Sequence, residues 1–333
     1  MHKVVITDYL APPADLEQKE LDGLARVECL QAHHNVELRG RLSDADAIIL
    51  FHEVTMPAEI IAEAERCRVI VRCGVGFDSV DLKAAGARRI AVCNVPDYGV
   101  DEVADHAIAL MLACLRGILR VERTVRSTLR PWDKRAVVSV PRLAGLTVGI
   151  IGLGRIGSAT ALRAKAFKMH VLAHDPYVRP GTDKVLGVQM VDLPALLAQS
   201  DVISLHTPLT DETRNLIDRQ ALSQMKPTAI LINTARGAVV NTNSLAEALR
   251  TGKLAGAGLD VLPQEPPTAD DPLIKLWQQQ AEPFVNLVIT PHTAFYSEAG
   301  MVEMRQKAAQ EIGRALRGER LLNCVNSECL VRK

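Results

Sequence analysis

The stretch TVGIIGLGRIGSATALRAKAFKMHVLAHD, residues 147–175, decides the fold of this chain. It opens with a β-branched apolar run at 147–151, which predicts a buried strand of a parallel sheet. A helix is predicted over about 156–167, and a second apolar run then ends at Asp175. Between the first strand and the helix come three glycines spaced G-x-G-x-x-G: Gly152, Gly154 and Gly157. Strand, glycine turn, helix, strand and acid follow one another within about 30 residues, as in a dinucleotide-binding βαβ unit.

Each part of this stretch has a physical role in holding a dinucleotide. Gly152 permits the tight turn, Gly154 lets a pyrophosphate approach the backbone, and Gly157 lets the helix pack on the strand. The helix N-terminus directs free N–H groups and a partial positive charge toward the phosphates. Asp175 accepts hydrogen bonds from the ribose hydroxyls and repels a 2′-phosphate, which predicts NAD rather than NADP. One alternative is NADP, because Arg179 lies close enough in sequence to contact a 2′-phosphate. The other is a glycine turn in an α/β sheet that binds no ligand, but this alternative does not explain Asp175.

The composition limits the classes of partner. The 333 residues with 48% hydrophobic content predict a large core and two domains. Lys plus Arg and Asp plus Glu both number 39, so no basic field attracts nucleic acid or a membrane surface. Only 3% of residues are aromatic, which leaves few platforms for stacking bases. We therefore expect no nucleic-acid and no membrane partner.

The cysteines and the N-terminus predict a cytoplasmic protein. The seven cysteines are scattered and include no C-x-x-C pair, which is typical of reduced thiols. The first residues, MHKVVITDYL, enter a strand without a signal-peptide pattern, and no apolar run is long enough to cross a bilayer. His33 and His34 are read as a surface pair, and no metal site is expected.

Alternating strands and helices predict a first α/β unit in the N-terminal part of the chain. The segment PDYG at 96–99 interrupts the pattern and marks a candidate hinge. A long apolar helix is predicted over 103–119, followed by an irregular, charged arm at 120–145. The second α/β unit, which carries the glycine motif, begins after this arm.

The position of the glycine motif in the middle of the chain indicates an insertion. A final helix at 298–316 is expected to return to the first unit, and 321–325 looks strand-like. The predicted fold class is α/β, with two Rossmann-like or flavodoxin-like domains. The NAD-binding domain, 100–296, is inserted into a discontinuous substrate-binding domain, 1–99 plus 297–333.

Polar groups follow the strands of the second unit. His206, Thr207 and Pro208 follow one predicted strand, and the segment NTARG at 233–237 follows another. Further polar residues follow later strands: Asp260, Glu265 and His292. In a parallel sheet the carboxyl ends of the strands share one edge, where ligands bind. Arginine, glutamate and histidine on one rim are suited to the reduction of a 2-oxo acid.

Several sequence blocks resemble the D-2-hydroxyacid dehydrogenase family, and they come in the family's order. These are TVGIIGLGRIG, HTPLTDETRNLI, LINTARG, LDVLPQEP and TPHTAFYS. The resemblance covers nearly the whole chain. Other blocks are similar to the branch of the C-terminal-binding-protein corepressors and their bacterial relatives: VRCGVGFDSVDL, AVCNVPDYGVDEVADHA, RAKAF, HDPY and PHTAFYSE with LLNCVN.

The resemblance implies three catalytic residues. Arg236 would bind the substrate carboxylate and polarise the carbonyl, because its planar fork suits a carboxylate. His292 would donate a proton to the carbonyl oxygen during reduction and accept it during oxidation. Glu265 would contact the other His292 nitrogen and favour the imidazolium, raising its pKa. A hydride would pass between the nicotinamide C4 and the substrate C2.

The resemblance and the motifs also predict contacts around these three. The predicted cofactor-binding residues are Gly152, Gly154, Arg155, Ile156, Gly157, Asp175, His206, Thr207, Pro208, Thr213, Thr234, Ala235, Arg236, Asp260 and His292. The predicted substrate-binding residues are Arg72, Val75, Gly76, Arg236, His292 and Phe295. The backbone N–H groups of Val75 and Gly76 would meet the carboxylate. Arg72 would be a second substrate arginine, or would only cap its loop or pair with Asp78.

One departure from the corepressor branch concerns the substrate. Phe295 stands where that branch has a tryptophan, and phenylalanine is smaller and lacks the indole N–H. The leading prediction is an NAD-dependent oxidoreductase that acts as a reductase of small 2-oxo acids and a dehydrogenase of 2-hydroxy acids. A homodimer through the NAD-binding domain is expected, because 103–119 and the arm look like a partner surface.

Two other functions stay open. One is an NAD(H)-sensing binding module like the corepressors, although no nuclear or nucleic-acid signal accompanies it. The other is a phosphoglycerate dehydrogenase-type enzyme. Its phosphorylated substrate would require further cations at the site, and no appended regulatory domain is expected in the 333 residues.

Overall fold

A computed structural model gives the structure of the protein and describes residues 1–136, 140–279 and 285–330. The strands are β1 (His2–Ile6), β2 (Ala25–Cys29), β3 (Ala47–Leu50), β4 (Val69–Arg72), β5 (Ala91–Asn94), β6 (Thr147–Ile151), β7 (His170–His174), β8 (Gln189–Met190), β9 (Val202–Leu205), β10 (Ile230–Asn233), β11 (Gly256–Leu259) and β12 (Leu287–Ile289). The α-helices are α1 (Asp15–Glu20), α2 (Ala58–Glu63), α3 (Leu82–Ala87), α4 (Val100–Arg116), α5 (Ile118–Thr128), α6 (Arg155–Ala166), α7 (Thr182–Leu186), α8 (Leu193–Gln199), α9 (Arg219–Gln224), α10 (Thr242–Arg250), α11 (Pro272–Gln278), α12 (Glu298–Arg317) and α13 (Ser327–Leu330).

The chain divides into two compact units. Unit 1 comprises Met1–Gly99 with Tyr296–Lys333, and unit 2 comprises Val100–Phe295. The chain returns from unit 2 to unit 1 after Phe295, one residue before the predicted boundary at 296. Across the described residues, no helix has the length and apolar character needed to span a membrane.

Unit 1 is built on a parallel sheet of five strands in the order β2-β1-β3-β4-β5. All residues of β3 and β5 are buried, as expected for strands of a parallel sheet covered on both faces. Helix α12 lies where a helix was predicted, and it packs in unit 1 against α1, β3 and β4. The C-terminal part of the chain thus completes the core of the N-terminal part.

The C-terminal segment differs from its strand-like prediction at 321–325. It pairs with the edge strand β5 only through one antiparallel bridge, between Cys93 and Cys324, and then continues into α13. The reason is the buried Asn326, whose side-chain oxygen accepts from the Val92 N–H and whose amide donates to Ile90 O. This side chain takes the backbone groups that a longer strand would have used.

Unit 2 is built on a parallel sheet of seven strands in the order β12-β11-β10-β9-β6-β7-β8. Strand β6 lies between β9 and β7, so the strand order reverses beside it, and ligands bind outside the carboxyl ends of strands at such a point. Helix α4 packs against α6, β10 and β11. Two parallel sheets confirm the predicted α/β class.

Helix α5 contradicts the prediction of an irregular segment from residue 120. The apolar helix predicted over 103–119 ends at Arg116, because Gly117 adopts a left-handed conformation with φ 60°. A second helix then follows, with an ion pair between Glu122 and Arg126 one turn apart. None of its residues is buried. Ile118, Val121 and Val125 recur at helical spacing, but the charged residues among them led to the prediction of an irregular segment. Residues 137–139 of the predicted arm lie outside the described residues.

Candidate active site

The glycine turn between β6 and α6 is shaped by close backbone contacts. Gly152 has φ 92°, and a Cβ atom there would lie 2.7 Å from the carbonyl oxygen of His206. A Cβ at Gly157 would lie 1.9 Å from the Gly152 carbonyl oxygen. Helix α6 begins at Arg155, and Ile156 lies in its first turn with free N–H groups. Both glycines are therefore required by packing within the protein itself.

Asp175 ties the end of β7 to this turn. Its Oδ2 accepts from the backbone N–H of Leu153 at 2.8 Å, and its Oδ1 accepts from the N–H of Tyr177 at 2.8 Å. These contacts hold the carboxylate beside the glycine turn. Each oxygen retains a further lone pair, so hydrogen bonds from ribose hydroxyls remain possible.

Three features at this edge of the sheet fit a bound dinucleotide. A Cβ at Gly154 would meet no described heavy atom within 4 Å, in contrast to Gly152 and Gly157. The hydroxyls of Thr207 and Thr234 are buried and find no hydrogen-bond partner among the described residues. Buried polar groups are almost always paired, so these two hydroxyls are available to bind a water molecule or a ligand.

The loop after β9 is ordered by its own polar groups. The ring of His206 shares a hydrogen bond with Ser204 Oγ at 2.9 Å, and burial lowers its pKa to about 4. The ring is therefore neutral near pH 7. Thr213 donates its hydroxyl to Pro208 O at 2.6 Å, which closes the loop.

The turn after β10 sets the position of Arg236. Asn233 donates its side-chain amide to the Arg236 carbonyl, and its oxygen accepts from the Ala235 N–H. The Arg236 guanidinium donates through Nη1 to Ala235 O at 2.9 Å. A Cβ at the next residue, Gly237, would lie 1.9 Å from the carbonyl carbon of Leu262. Glycine at 237 thus brings the arginine turn against the loop that carries Glu265.

His292 and Glu265 form the central pair of the site. The Nδ1 of His292 lies 2.6 Å from Oε2 of Glu265 and donates to it, because an ionised carboxylate only accepts. The other carboxylate oxygen accepts from the Leu262 N–H at 2.7 Å. The two side chains are 37% and 36% exposed, so a small molecule can reach the ring.

The charge environment keeps Glu265 ionised. Burial by itself raises the pKa of this carboxyl group. The hydrogen bond and charge of His292 and the charge of Arg236 outweigh burial, so the pKa lies below its usual value. Arginine, imidazole and carboxylate therefore act on one another within unit 2.

Asp260 holds the turn that carries His292. Asp260 is 1% exposed, and its carboxylate accepts from the N–H groups of Thr293 and Ala294. Its carbonyl oxygen accepts from the His292 N–H at 2.8 Å. His292 itself has φ 53°, a left-handed conformation that these contacts support. Asp260 was predicted only as a cofactor residue, and its role in fixing this turn was missed.

The sequence reasoning also missed two residues that support Asp260. Thr290 donates its hydroxyl to Asp260 Oδ1 at 2.6 Å and accepts from His106 Nε2 at 2.9 Å. His106 lies in the first half of α4, next to the acidic residues at the start of this helix. The only signal in the sequence was the presence of a histidine in this helix. The sequence did not indicate that it would contact Thr290.

Phe295 lies beside His292. The two ring centroids are 6.2 Å apart, with an angle of 83° between the ring planes. This edge-on contact is a favourable arrangement of aromatic rings. It gives the imidazole an apolar neighbour where the corepressor branch has an indole.

The predicted substrate loop of unit 1 is organised around Arg72. Its guanidinium donates through Nη1 to Cys73 O, and a Cβ at Gly74 would lie 1.5 Å from Nη1. Gly74 therefore leaves the space that the guanidinium fills. Asn94 donates to Val75 O at 2.6 Å, which orders the backbone that leads to Gly76.

Comparison with known proteins identifies the family. Residues 108–294 match the model of the D-isomer specific 2-hydroxyacid dehydrogenase, NAD binding domain. The chain belongs to this family. The predicted resemblance is thus confirmed, and unit 2 contains the family's NAD-binding domain. The narrower resemblance to the corepressor branch stays a prediction.

Relatives within the family differ in length and in name. The chain is 38% identical over 97% of its length to the D-3-phosphoglycerate dehydrogenase of Mycobacterium leprae and 37% identical to that of Archaeoglobus fulgidus. It spans only 58% and 59% of these two proteins. The solved D-lactate dehydrogenase of Aquifex aeolicus, in complex with NAD and lactic acid, is 31% identical with a TM-score of 0.84. This match covers 95% of the chain and 96% of that structure.

Proposed function

We propose that the protein is an NAD-dependent D-2-hydroxyacid dehydrogenase that acts as a reductase of small 2-oxo acids. The observation that carries this proposal is the His292–Glu265 pair at 2.6 Å, with the charge of Arg236 acting on the same carboxylate. A proton donor beside a cation is the set that the reduction of a carbonyl next to a carboxylate requires.

His292 supplies the proton in this mechanism. Its Nδ1 is held by Glu265, so Nε2 is the nitrogen left to face the substrate carbonyl oxygen. Nε2 protonates the oxygen as it gains negative charge, while the ionised Glu265 holds the ring by its other nitrogen. In the reverse direction the neutral ring accepts the proton of the hydroxyl group.

Arg236 orients the substrate. Its guanidinium presents several N–H donors in one plane, which matches the two oxygens of a carboxylate. Val75, Gly76 and Arg72 of unit 1 are proposed to contribute further contacts to the substrate, and Phe295 to border its side chain. The carboxylate is thereby bound in one orientation, with the adjacent carbonyl oxygen toward His292.

The cofactor-binding residues follow from the glycine turn and the unpaired hydroxyls. Bound NADH supplies the hydride that the substrate C2 receives. The N–H groups of Arg155 and Ile156 would bind the pyrophosphate above Gly154, and Asp175 would bind the ribose hydroxyls. The remaining proposed contacts come from the loops after β9, β10 and β11: His206, Thr207, Pro208, Thr213, Thr234, Ala235 and Asp260.

A phosphoglycerate dehydrogenase-type activity is the second candidate, because two relatives at 38% and 37% identity carry that name. The two candidates differ in the substrate rather than in the chemistry. Initial rates with 3-phosphohydroxypyruvate and with hydroxypyruvate separate them. A kcat/KM at least tenfold higher for the phosphorylated acid would replace the first candidate with the second.

The test of the shared chemistry is NADH oxidation, followed at 340 nm, with glyoxylate, pyruvate, hydroxypyruvate and bulkier 2-oxo acids. His292→Gln is expected to lower kcat by about 10³-fold, because general acid catalysis contributes roughly that factor. His170→Gln, at an exposed position that begins β7, is the matched control and should keep full activity. Unchanged turnover in His292→Gln would overturn the proposal.

We also propose a homodimer through unit 2. Helix α5 buries none of its residues, and large apolar side chains in and after it are exposed, including Trp132 at 79%. Large apolar side chains gathered on one exposed segment mark a contact surface. Light scattering at micromolar concentration should give twice the chain mass of 36.2 kDa. A mass of one chain would contradict the dimer.

A further inference from the structure

Two cysteines that are far apart in the sequence face each other in unit 1. Cys93 lies in the edge strand β5, and Cys324 lies opposite it in the C-terminal segment. The flanking backbone bonds run from Val325 N to Val92 O at 2.8 Å and from Asn94 N to Asn323 O at 3.3 Å. The cysteines thus form a non-hydrogen-bonded antiparallel pair, whose Cα atoms are typically about 4.5 Å apart. This spacing lies within the range of about 4.4–6.8 Å that a disulfide spans.

Both cysteines are free thiols, and each side chain shifts the pKa of the other, so the two sulfurs lie close together. The Cys324 Sγ–H donates to Asn326 Oδ1 at 3.4 Å. Cys93 is fully buried, whereas Cys324 is partly exposed. Cys324 is therefore the sulfur that a solute can reach, and Cys93 is the sulfur placed to react with it afterwards.

The interaction between the two sulfurs also favours Cys324 as the reacting one. The Cys93 side chain lowers the pKa of Cys324 to about 6, and the pKa of Cys93 is raised in turn. The carboxylate of Glu311, on α12, opposes ionisation of both sulfurs. Its Oε1 is engaged by the N–H groups of Leu322 and Asn323. A thiolate is the reactive form of cysteine, so reaction at Cys324 is favoured.

The other cysteines are less suited to this chemistry. Burial raises the pKa of Cys67 and Cys114 to about 12, raises that of Cys73 further, and also raises that of Cys29. Cys329 is exposed on α13 and lies outside the antiparallel bridge that places Cys93 opposite Cys324. The Cys93–Cys324 pair therefore differs from Cys29, Cys67, Cys73 and Cys114 in reactivity, and from Cys329 in having a thiol opposite it.

We propose that Cys93 and Cys324 are a peroxide-sensitive thiol pair that closes to a reversible disulfide and fastens the C-terminal segment to β5. The Cys324 thiolate attacks hydrogen peroxide, the O–O bond breaks, and a sulfenic acid and hydroxide form. The hydroxide becomes water by taking up the proton that the Cys324 thiol released on ionising. The Cys93 sulfur then attacks the Cys324 sulfur as its proton passes to the departing hydroxide. The S–O bond breaks and the S–S bond forms. In total two thiols are oxidised by two electrons, and one peroxide is reduced to two waters.

The disulfide would act beside the predicted substrate loop. Asn94, the residue after Cys93, donates to Val75 O, and Val95 N donates to Gly74 O. The bond would also link two positions that are most of the chain apart. Closing so long a loop constrains the unfolded chain strongly and raises stability.

The test uses the full chain, reduced and then treated with stoichiometric hydrogen peroxide, and its readouts do not depend on dehydrogenase activity. We expect the number of free thiols, counted after unfolding in denaturant, to fall from the seven of the sequence by two. Non-reducing peptide mapping should give one cross-linked peptide that contains Cys93 and Cys324 and has lost two hydrogens. Dithiothreitol should restore both thiols. The midpoint of thermal unfolding should rise by about 5 °C on oxidation.

Two variants make the test specific. Cys324→Ser removes the partly exposed sulfur and should abolish both the cross-link and the thermal shift. Cys329→Ser, at the exposed neighbouring cysteine, should retain both. The proposal is overturned if peroxide leaves Cys93 and Cys324 unlinked in the wild type, or if Cys324→Ser shows the same thermal shift.

Discussion

Two regions at the carboxyl edge of the seven-stranded sheet are built in opposite ways. The turn at 152–157 is contiguous in sequence and works through the backbone, with Gly152 and Gly157 placed by close packing. The Arg236–Glu265–His292 group is gathered from three separate loops and works through side-chain charge. We expect substitutions that add a Cβ atom to impair the first region. We expect substitutions that remove a charge or a hydrogen-bond donor to impair the second region.

The side-chain region should show the larger effect, beginning with Arg236→Lys. Lysine keeps the charge but loses the planar fork, so the substrate carboxylate loses one charge-assisted hydrogen bond and its orientation. We expect kcat/KM for the 2-oxo acid to fall by about 10²-fold, with an unchanged melting temperature. Steady-state kinetics measure this. Arg250→Lys, at an exposed residue that pairs with Glu247, is the control. An equal loss of kcat/KM in both variants would mean that the planar guanidinium at position 236 does not orient the substrate.

Glu265→Gln should have the next largest effect, about tenfold to 10²-fold on kcat/KM for reduction at pH 7. Glutamine can keep a hydrogen bond to His292 but removes the negative charge beside the ring. Initial rates of NADH oxidation at pH 7 would record this loss. The matched control is Glu247→Gln on α10. A rate equal to that of the wild type would show that Glu265 acts only as a spacer.

The wild-type pair should also resist acid. The pKa of Glu265 is lowered in the folded protein, so its contribution to stability is present above the usual glutamate pKa. It is lost only as the pH falls through the lowered pKa of the folded state. The difference in urea midpoint between wild type and Glu265→Gln should therefore persist at pH 5 and shrink below pH 4.

The backbone region can be tested by two alanine substitutions that should behave differently. At Gly154 the new Cβ meets no described atom, so Gly154→Ala should keep its melting temperature while KM for NADH rises by about tenfold. At Gly157 the Cβ would lie 1.9 Å from the Gly152 carbonyl oxygen, so Gly157→Ala should melt several degrees lower. Calorimetry and NADH titration distinguish the two. Equal losses of stability would refute the separation of roles.

The smallest expected effect concerns His206, which lies beside the glycine turn. Its pKa of about 4 in the folded state is below the usual value near 6.5, so the unfolded state binds more protons between these values. Stability from this residue is therefore lost as the pH falls from about 6.5 toward 4. His206→Asn should show a smaller loss of urea midpoint between pH 7 and 4.5 than the wild type. The control His170→Asn should lose as much of its urea midpoint as the wild type. If His206→Asn also lost as much between pH 7 and 4.5, the ring of His206 would not be buried in its neutral form.

Most of the fold could be predicted from local pattern, but two segments were predicted wrongly, and the short elements β8, α7, α11 and α13 were not predicted. The parallel strands other than β8 were found because their apolar runs and bounding turns are local signals. Helix α5 was missed although Ile118, Val121 and Val125 recur at helical spacing, because its charged residues and the prolines after it were interpreted as an irregular arm. The strand-like segment at 321–325 was wrong because one distant side chain, Asn326, replaced its pairing.

The sequence by itself determined the dinucleotide turn, its acid Asp175 and the catalytic residue types, because each is encoded within a short stretch. Only the tertiary structure decided which other residues fix the catalytic side chains in position. The buried Asp260 fixes the His292 turn, Gly237 admits the Glu265 loop beside Arg236, and Cys93 meets Cys324. These contacts join residues that are distant in the chain, and their pairing depends on strand order and packing, which no local pattern records.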